Sequence, residues 1–212
     1  MKLKRFYAEY GELLLGATAP DLYELQRVLQ QNPRFLKGRP GPGGGADATP
    51  FAVAQIVIAL LAGGPRRQAE STVHSYGDLP IWRENVTVKG QAEGEVSSCP
   101  LTRATNFGDA MLTVLSNPSI AKKVAQIVVC RDWCEASINY YHNGVLSESQ
   151  FVGRSGIAST RRAEKLGTLF NLARLGGQAV NTITEAIAKN ADNISLQVPT
   201  LKPQDEIESI GA

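Results

Sequence analysis

The twelve residues Phe51-Ala-Val-Ala-Gln-Ile-Val-Ile-Ala-Leu-Leu-Ala62 constrain this chain more than any other stretch. They fall short of the roughly 20 apolar residues that a membrane-spanning helix needs. The segment is therefore expected to be a helix buried inside a globular core. Thr49-Pro50 supplies a cap and a first turn, and Gly63-Gly64 a stop. At 212 residues the chain has the length of one domain or two small ones, each able to bury a core.

Hydrophobic residues make up 43% of the chain and charged residues 20%, which excludes wholesale disorder, collagen and a disulfide-stapled miniprotein. The 22 Lys+Arg against 20 Asp+Glu leave a net charge of +2, so any nucleic-acid contact must come from a local basic face. The basic start Met1-Lys-Leu-Lys-Arg lacks a signal-length apolar core, because Glu9 and Glu12 interrupt it. Together with three cysteines, an odd number, this suggests a cytoplasmic protein with no membrane partner. Cys130 and Cys134 fall in Gln126-Ile-Val-Val-Cys-Arg-Asp-Trp-Cys, which reads as a strand and would hold the thiols roughly 13 Å apart. His74 and His142 are isolated, so no metal site is expected. None of the common nucleophile-elbow, zincin or Walker motifs occurs, which leaves an enzyme reading without catalytic residues. No cofactor is expected either.

Leu3 to Leu15 reads as a helix with Phe6, Tyr10, Leu13 and Leu14 at helical spacing, broken by Gly16-Ala-Thr-Ala-Pro. A second helix opens at Pro20 and runs to Gln31, with Leu22, Leu25 and Leu29 as its apolar stripe. Its opposite face is assigned Tyr23, Gln26, Arg27, Gln30 and Gln31. Pro65 opens a further helix to Gly77, and residues 81–104 read as a polar linker. Phe107, Ala110, Met111, Val114 and Leu115 mark a helix that would cover three strands at Gln126–Arg131, Glu135–Tyr141 and Val145–Phe151. Asn143-Gly144 is a strong hairpin signal between the last two. Thr160 to Asn190 reads as helix with a weak point at Gly176-Gly177, followed by a poorly ordered tail.

The best functional candidate joins that second helix to the loop Arg34-Phe-Leu-Lys-Gly-Arg-Pro-Gly-Pro-Gly-Gly-Gly. Gln pairs with adenine and Arg with guanine in a major groove, while Tyr can meet phosphate or a thymine methyl. On this reading Tyr23, Gln26, Arg27 and Gln30 face bases. Arg34, Lys37 and Arg39 neutralise phosphates, and Gly41 and Gly43 let the backbone approach the duplex. The competing reading is a solvated helix face followed by a surface linker, and Glu24 beside the face would repel phosphate. A nucleotide phosphate cradle would need a preceding strand and a closing Lys-Ser/Thr, and neither is there. A second basic cluster, Arg161, Arg162 and Lys165, lies near a helix start.

The order of a helix, a short basic segment, Gly38-Arg-Pro-Gly-Pro-Gly-Gly-Gly45 and Ala48-Thr-Pro-Phe-Ala-Val-Ala-Gln-Ile-Val-Ile-Ala-Leu-Leu-Ala62 resembles phage-derived helix-turn-helix transcriptional regulators of alphaproteobacteria. Phe107-Gly-Asp-Ala-Met-Leu and Ile127-Val-Val-Cys-Arg-Asp-Trp-Cys-Glu-Ala-Ser-Ile resemble the small second domain of such proteins. The stretch from Leu15 to Pro20 departs from their usual turn. The resemblance implies sequence-specific binding of double-stranded DNA and control of phage-like or mobile-element genes, with the transcription machinery as a further partner. The expected fold is α+β and mainly helical. A helix-turn-helix domain at 1–80 and a linker at 81–104 precede a helix-plus-three-stranded antiparallel domain with C-terminal helices at 105–190 and a flexible tail at 191–212. A homodimer is expected, since one short helix reads too few bases. The alternative is a non-enzymatic protein-interaction or phage structural adaptor.

Overall fold

The computed structural model describes residues 1–31, 35, 45–82, 98–153 and 171–195. Among these the architecture is α+β, a helical layer packed on one face of a four-stranded antiparallel sheet. Helix α1 (Leu3–Phe6) continues through a π turn at Tyr7–Gly11 into α2 (Glu12–Leu15). The wider turn shifts the helical phase. Leu13, which the sequence pattern counts with the apolar face, is consequently 80% exposed, while Phe6, Tyr7 and Gly11 are buried.

Gly16 ends α2 with φ +62°, a left-handed stop that costs glycine no Cβ clash. Helix α3 (Ala19–Leu29) then starts on Thr18, whose hydroxyl accepts the Asp21 N–H. Its Leu22, Leu25 and Leu29 are buried as expected. The central helix α4 (Pro50–Ala62) is capped by the Thr49 hydroxyl, which accepts the Ala52 N–H at 3.2 Å. Nine of its thirteen residues are buried, because α3, α5 (Ala69–Gly77), α6 (Phe107–Ser116) and the sheet surround it. The expectation of a buried core helix is met.

The sheet runs β3-β2-β1-β4, from β1 (Val124–Cys130), β2 (Glu135–His142), β3 (Val145–Val152) and β4 (Leu172–Gly176). Cross-strand rows Leu175–Ile127–Ile138–Ser149 and Ala173–Val129–Ala136–Phe151 face the helices. The opposite face carries Val128, Ser137, Asn139, Glu148, Gln150 and Arg174. Asn143 and Gly144, both at positive φ, make the expected two-residue hairpin turn.

Three expectations are corrected. First, Leu172–Gly176 is a strand rather than part of a helix. Gly176-Gly177 is the junction to α8 (Gly177–Ser195), after α7 (Pro118–Ala121). β1 has a second edge to satisfy, and backbone pairing with β4 overrides helical spacing. Residues 160–170 of the expected helix, with Arg161, Arg162 and Lys165, lie outside the described residues; of the tail expected at 191–212, residues 191–195 instead continue α8 and the rest lies outside the described residues. Second, the cover of the sheet is shared. Helices α8 and α4 lie against β1 and β4, and α6 reaches β3 where the Phe107 and Phe151 rings sit 5.5 Å apart. Third, Arg131–Cys134 is a turn between β1 and β2, so the two cysteines do not share a strand. Cys99, Cys130 and Cys134 are all free thiols.

Buried side chains from Leu3 to Ile187 form one continuous cluster. The ends of the expected linker join it: Ile81 and Cys99 are buried, and Trp82 donates its N–H to Gln150 O at 2.7 Å. Two ties fasten the N-terminal helices to the sheet. The Tyr76 hydroxyl donates to Cys130 O at 3.0 Å. Arg131 donates from Nε to Leu61 O at 2.9 Å and from a terminal nitrogen to Leu60 O at 3.3 Å, capping the negative end of α4.

Candidate nucleic-acid interface

The three residues Gly16–Thr18 turn the chain so that α3 packs against the π turn Tyr7–Gly11. A Cβ on Gly11 would lie 2.7 Å from Leu22 Cδ1 and 3.0 Å from Ala17 O, so the π turn and α3 meet closely there. Tyr23 and Arg27 are exposed on the outer face of α3, and Gln30 is half-buried at its end. Among the described residues Arg27 has no ion-pair partner.

Gln26 is different. It is only 5% exposed, so it does not belong to the outer face to which its polarity assigned it. The reason was present in the spacing: Gln26 follows Leu22 by four residues and precedes Leu29 by three, which puts it in the apolar stripe.

Asp21 and Glu24 lie on the same helix, and both bond to the guanidinium of Arg66. The Thr18 hydroxyl and then Arg66 hold the Asp21 carboxyl below its ordinary value, and Asp21 followed by Glu24 raises that of Arg66. Asp21 is 42% and Glu24 59% exposed, so the pairing adds little stability, but it offsets the two carboxylates beside Arg27. Sequence reasoning missed Arg66 as a partner of this face. It is 42 positions from Glu24, and no local pattern joins them.

Of the basic loop, Arg34, Lys37, Arg39, Gly41 and Gly43 lie outside the described residues. Its flanks are anchored. Phe35 is buried, and Ala46 and Ala48 are buried where the chain returns to the N-terminus. There Leu3 donates its N–H to Ala46 O at 2.8 Å, Ala48 donates to Met1 O at 2.8 Å, and Lys2 pairs with Asp47 at 3.0 Å.

Elsewhere a cleft of about 520 Å³ opens between α5 and the β1–β2 turn, lined by Ser71, Thr72, Ser75, Asp132 and Trp133 among others. Cys134 beside it has its thiol pushed up by burial, which disfavours the reactive thiolate. Among the described residues no group of three His, Cys, Asp or Glu side chains converges as metal ligands would. No described helix is long and apolar enough to cross a membrane. No known protein family, curated protein or solved structure matches the chain.

Proposed function

We propose that the chain is a non-catalytic, sequence-specific DNA-binding regulator that presents α3 to the major groove. The observation that carries this reading is α3, joined to α2 by the Gly16–Thr18 turn and packed on the π turn, α4 and α5. This helix presents Tyr23 and Arg27 outward and Gln30 in part, with the neighbouring carboxylates paired to Arg66. Arg27 supplies a guanine contact or a phosphate contact, and Tyr23 a phosphate or methyl contact. Gln26 has no part in base recognition. Arg34, Lys37 and Arg39, with Gly41 and Gly43, are assigned to the backbone on the basis of their sequence alone. The resemblance to phage-derived regulators supplies the class of genes controlled, and two-fold operators call for a second copy of the chain.

The test is fluorescence anisotropy of a random duplex titrated with protein at several salt concentrations. Binding is expected to weaken steeply with salt, and Arg27→Ala to reduce the slope by about one phosphate's worth if that side chain lies on the backbone. If Arg27 reads a base, the variant instead erodes discrimination between specific and random sites. Absence of binding at low salt refutes the proposal and leaves the non-enzymatic adaptor reading.

A further inference from the structure

Asp21, Glu24 and Arg27 follow one another at three-residue intervals, so they form one stripe along α3. Two carboxylates against one guanidinium would make that stripe negative, and a phosphodiester backbone repels a negative face. A neighbouring element changes the balance. Arg66, from the 3₁₀ turn Arg66–Gln68 packed on α3, bonds through one terminal nitrogen to Asp21 and through the other to Glu24.

The turn is fixed at both ends. Before it, Gly63 takes φ +69° with the Arg131 side chain close against it, and that arginine donates to Leu60 O and Leu61 O at the end of α4. After it, Ala69 is buried and the Ser71 hydroxyl donates to Gln68 O at 2.9 Å. Between these anchors Gly64, Pro65, Arg66 and Arg67 are exposed, and a Cβ on Gly64 would meet nothing within 4 Å. The turn is thus held in place and open to a partner.

We infer that the duplex-binding face extends from α3 onto this turn, with Arg67 as a phosphate contact and Arg66 as the positioning residue that cancels the α3 carboxylates. The juxtaposition carries it. Arg66 ties the turn to Glu24, one helical turn from Arg27, and so brings the adjacent, exposed Arg67 to the margin of the same face. Contacts to phosphate from elements beside a reading helix set its register on the duplex, and a guanidinium fork matches phosphate oxygens two at a time. The inference rests on the DNA-binding reading. It adds a contact outside both α3 and the loop at 34–43.

The full chain and its variants are titrated into a labelled random duplex at several salt concentrations. Arg67→Ala is expected to lower the slope of log affinity against log salt by about 0.9, the share of one phosphate. Arg66→Ala is expected to weaken binding about tenfold at low salt and less at high salt, because screening shortens the reach of the freed carboxylates. Adding Asp21→Asn and Glu24→Gln to that variant is expected to restore at least the parent affinity. An Arg66 that only braces the fold, or that itself grips phosphate, is not rescued in this way. Its ion pairs are exposed, so urea unfolding of Arg66→Ala is expected to match the parent. An unchanged slope in Arg67→Ala overturns the inference, as does an Arg66→Ala chain that binds like the parent or whose loss the carboxylate changes do not restore. In each of those cases the parent still binds and the DNA-binding reading stands. A parent that does not bind at low salt removes both.

Discussion

Replacing Tyr76 by Phe removes one oxygen and tests whether the N-terminal helices and the sheet unfold together. Tyr76 is 6% exposed on α5, and its hydroxyl reaches Cys130 O at 3.0 Å and Arg131 O at 3.4 Å, where β1 turns into β2. Phenylalanine keeps the ring and its packing, so no cavity opens. What is lost is one buried hydrogen bond, with its longer second branch, and two carbonyls are left short of a donor. A neutral hydrogen bond contributes about 0.5–1.5 kcal/mol, and an unsatisfied buried acceptor brings the loss towards the upper end of that range. A destabilisation of about 1–1.5 kcal/mol follows, which for a chain of this size lowers Tm by roughly 2–6 °C. The assay is urea unfolding followed in parallel by far-UV circular dichroism, weighted to the helices, and by fluorescence of Trp133 in the β1–β2 turn and Trp82 beside β3. One continuous core predicts coincident curves that shift together with an unchanged m value. Two separated transitions, or a shift in only one probe, would refute the single cooperative unit and restore two independently stable domains.

Three further outcomes can be checked. Burial raises Tyr7 and Tyr140 and pushes Tyr76 up to about 12, while the Cys130 and Cys134 thiols are raised from 9. Groups raised on folding give stability that is full below their unfolded values and lost as pH climbs through the folded ones. Tm is expected to hold to about pH 9 and then fall towards pH 12, less steeply in Tyr76→Phe; a flat profile over that window contradicts the burial. Gly177→Ala would place a Cβ 2.0 Å from Val124 O, a backbone collision at the β4–α8 junction, and is expected to cost roughly 3 kcal/mol or more in urea unfolding or abolish soluble expression. Gly16→Ala meets no neighbouring atom, so only its left-handed backbone resists. A loss of about 1 kcal/mol in thermal unfolding is expected, with Gly16→Asn milder.

Much of the local structure was legible because it depends on residues a few positions apart. Thr49-Pro50 and Gly63 bound α4, and Asn143-Gly144 closes the hairpin. The candidate face was legible in part. Tyr23 and Arg27 are outward as their spacing requires, whereas Gln26 was assigned by its polarity against its position and is buried.

The amino-acid sequence by itself determined that this chain folds around a central apolar helix, and where most of its helices and three of its strands lie to within a residue or two. Caps, turns and apolar periodicity act within one or two helical turns, so a linear reading reaches them. The tertiary structure alone decided the rest. Leu172–Gly176 became a strand because β1 had an edge to fill, and Leu13 turned to solvent because a π turn changed the helical phase. Arg66 came to offset Asp21 and Glu24 because packing brought a distant 3₁₀ turn (Arg66–Gln68) against α3. The buried side chains of helices and sheet came together in one cluster because α4 is apolar on nearly every side, and helices and sheet together cover it.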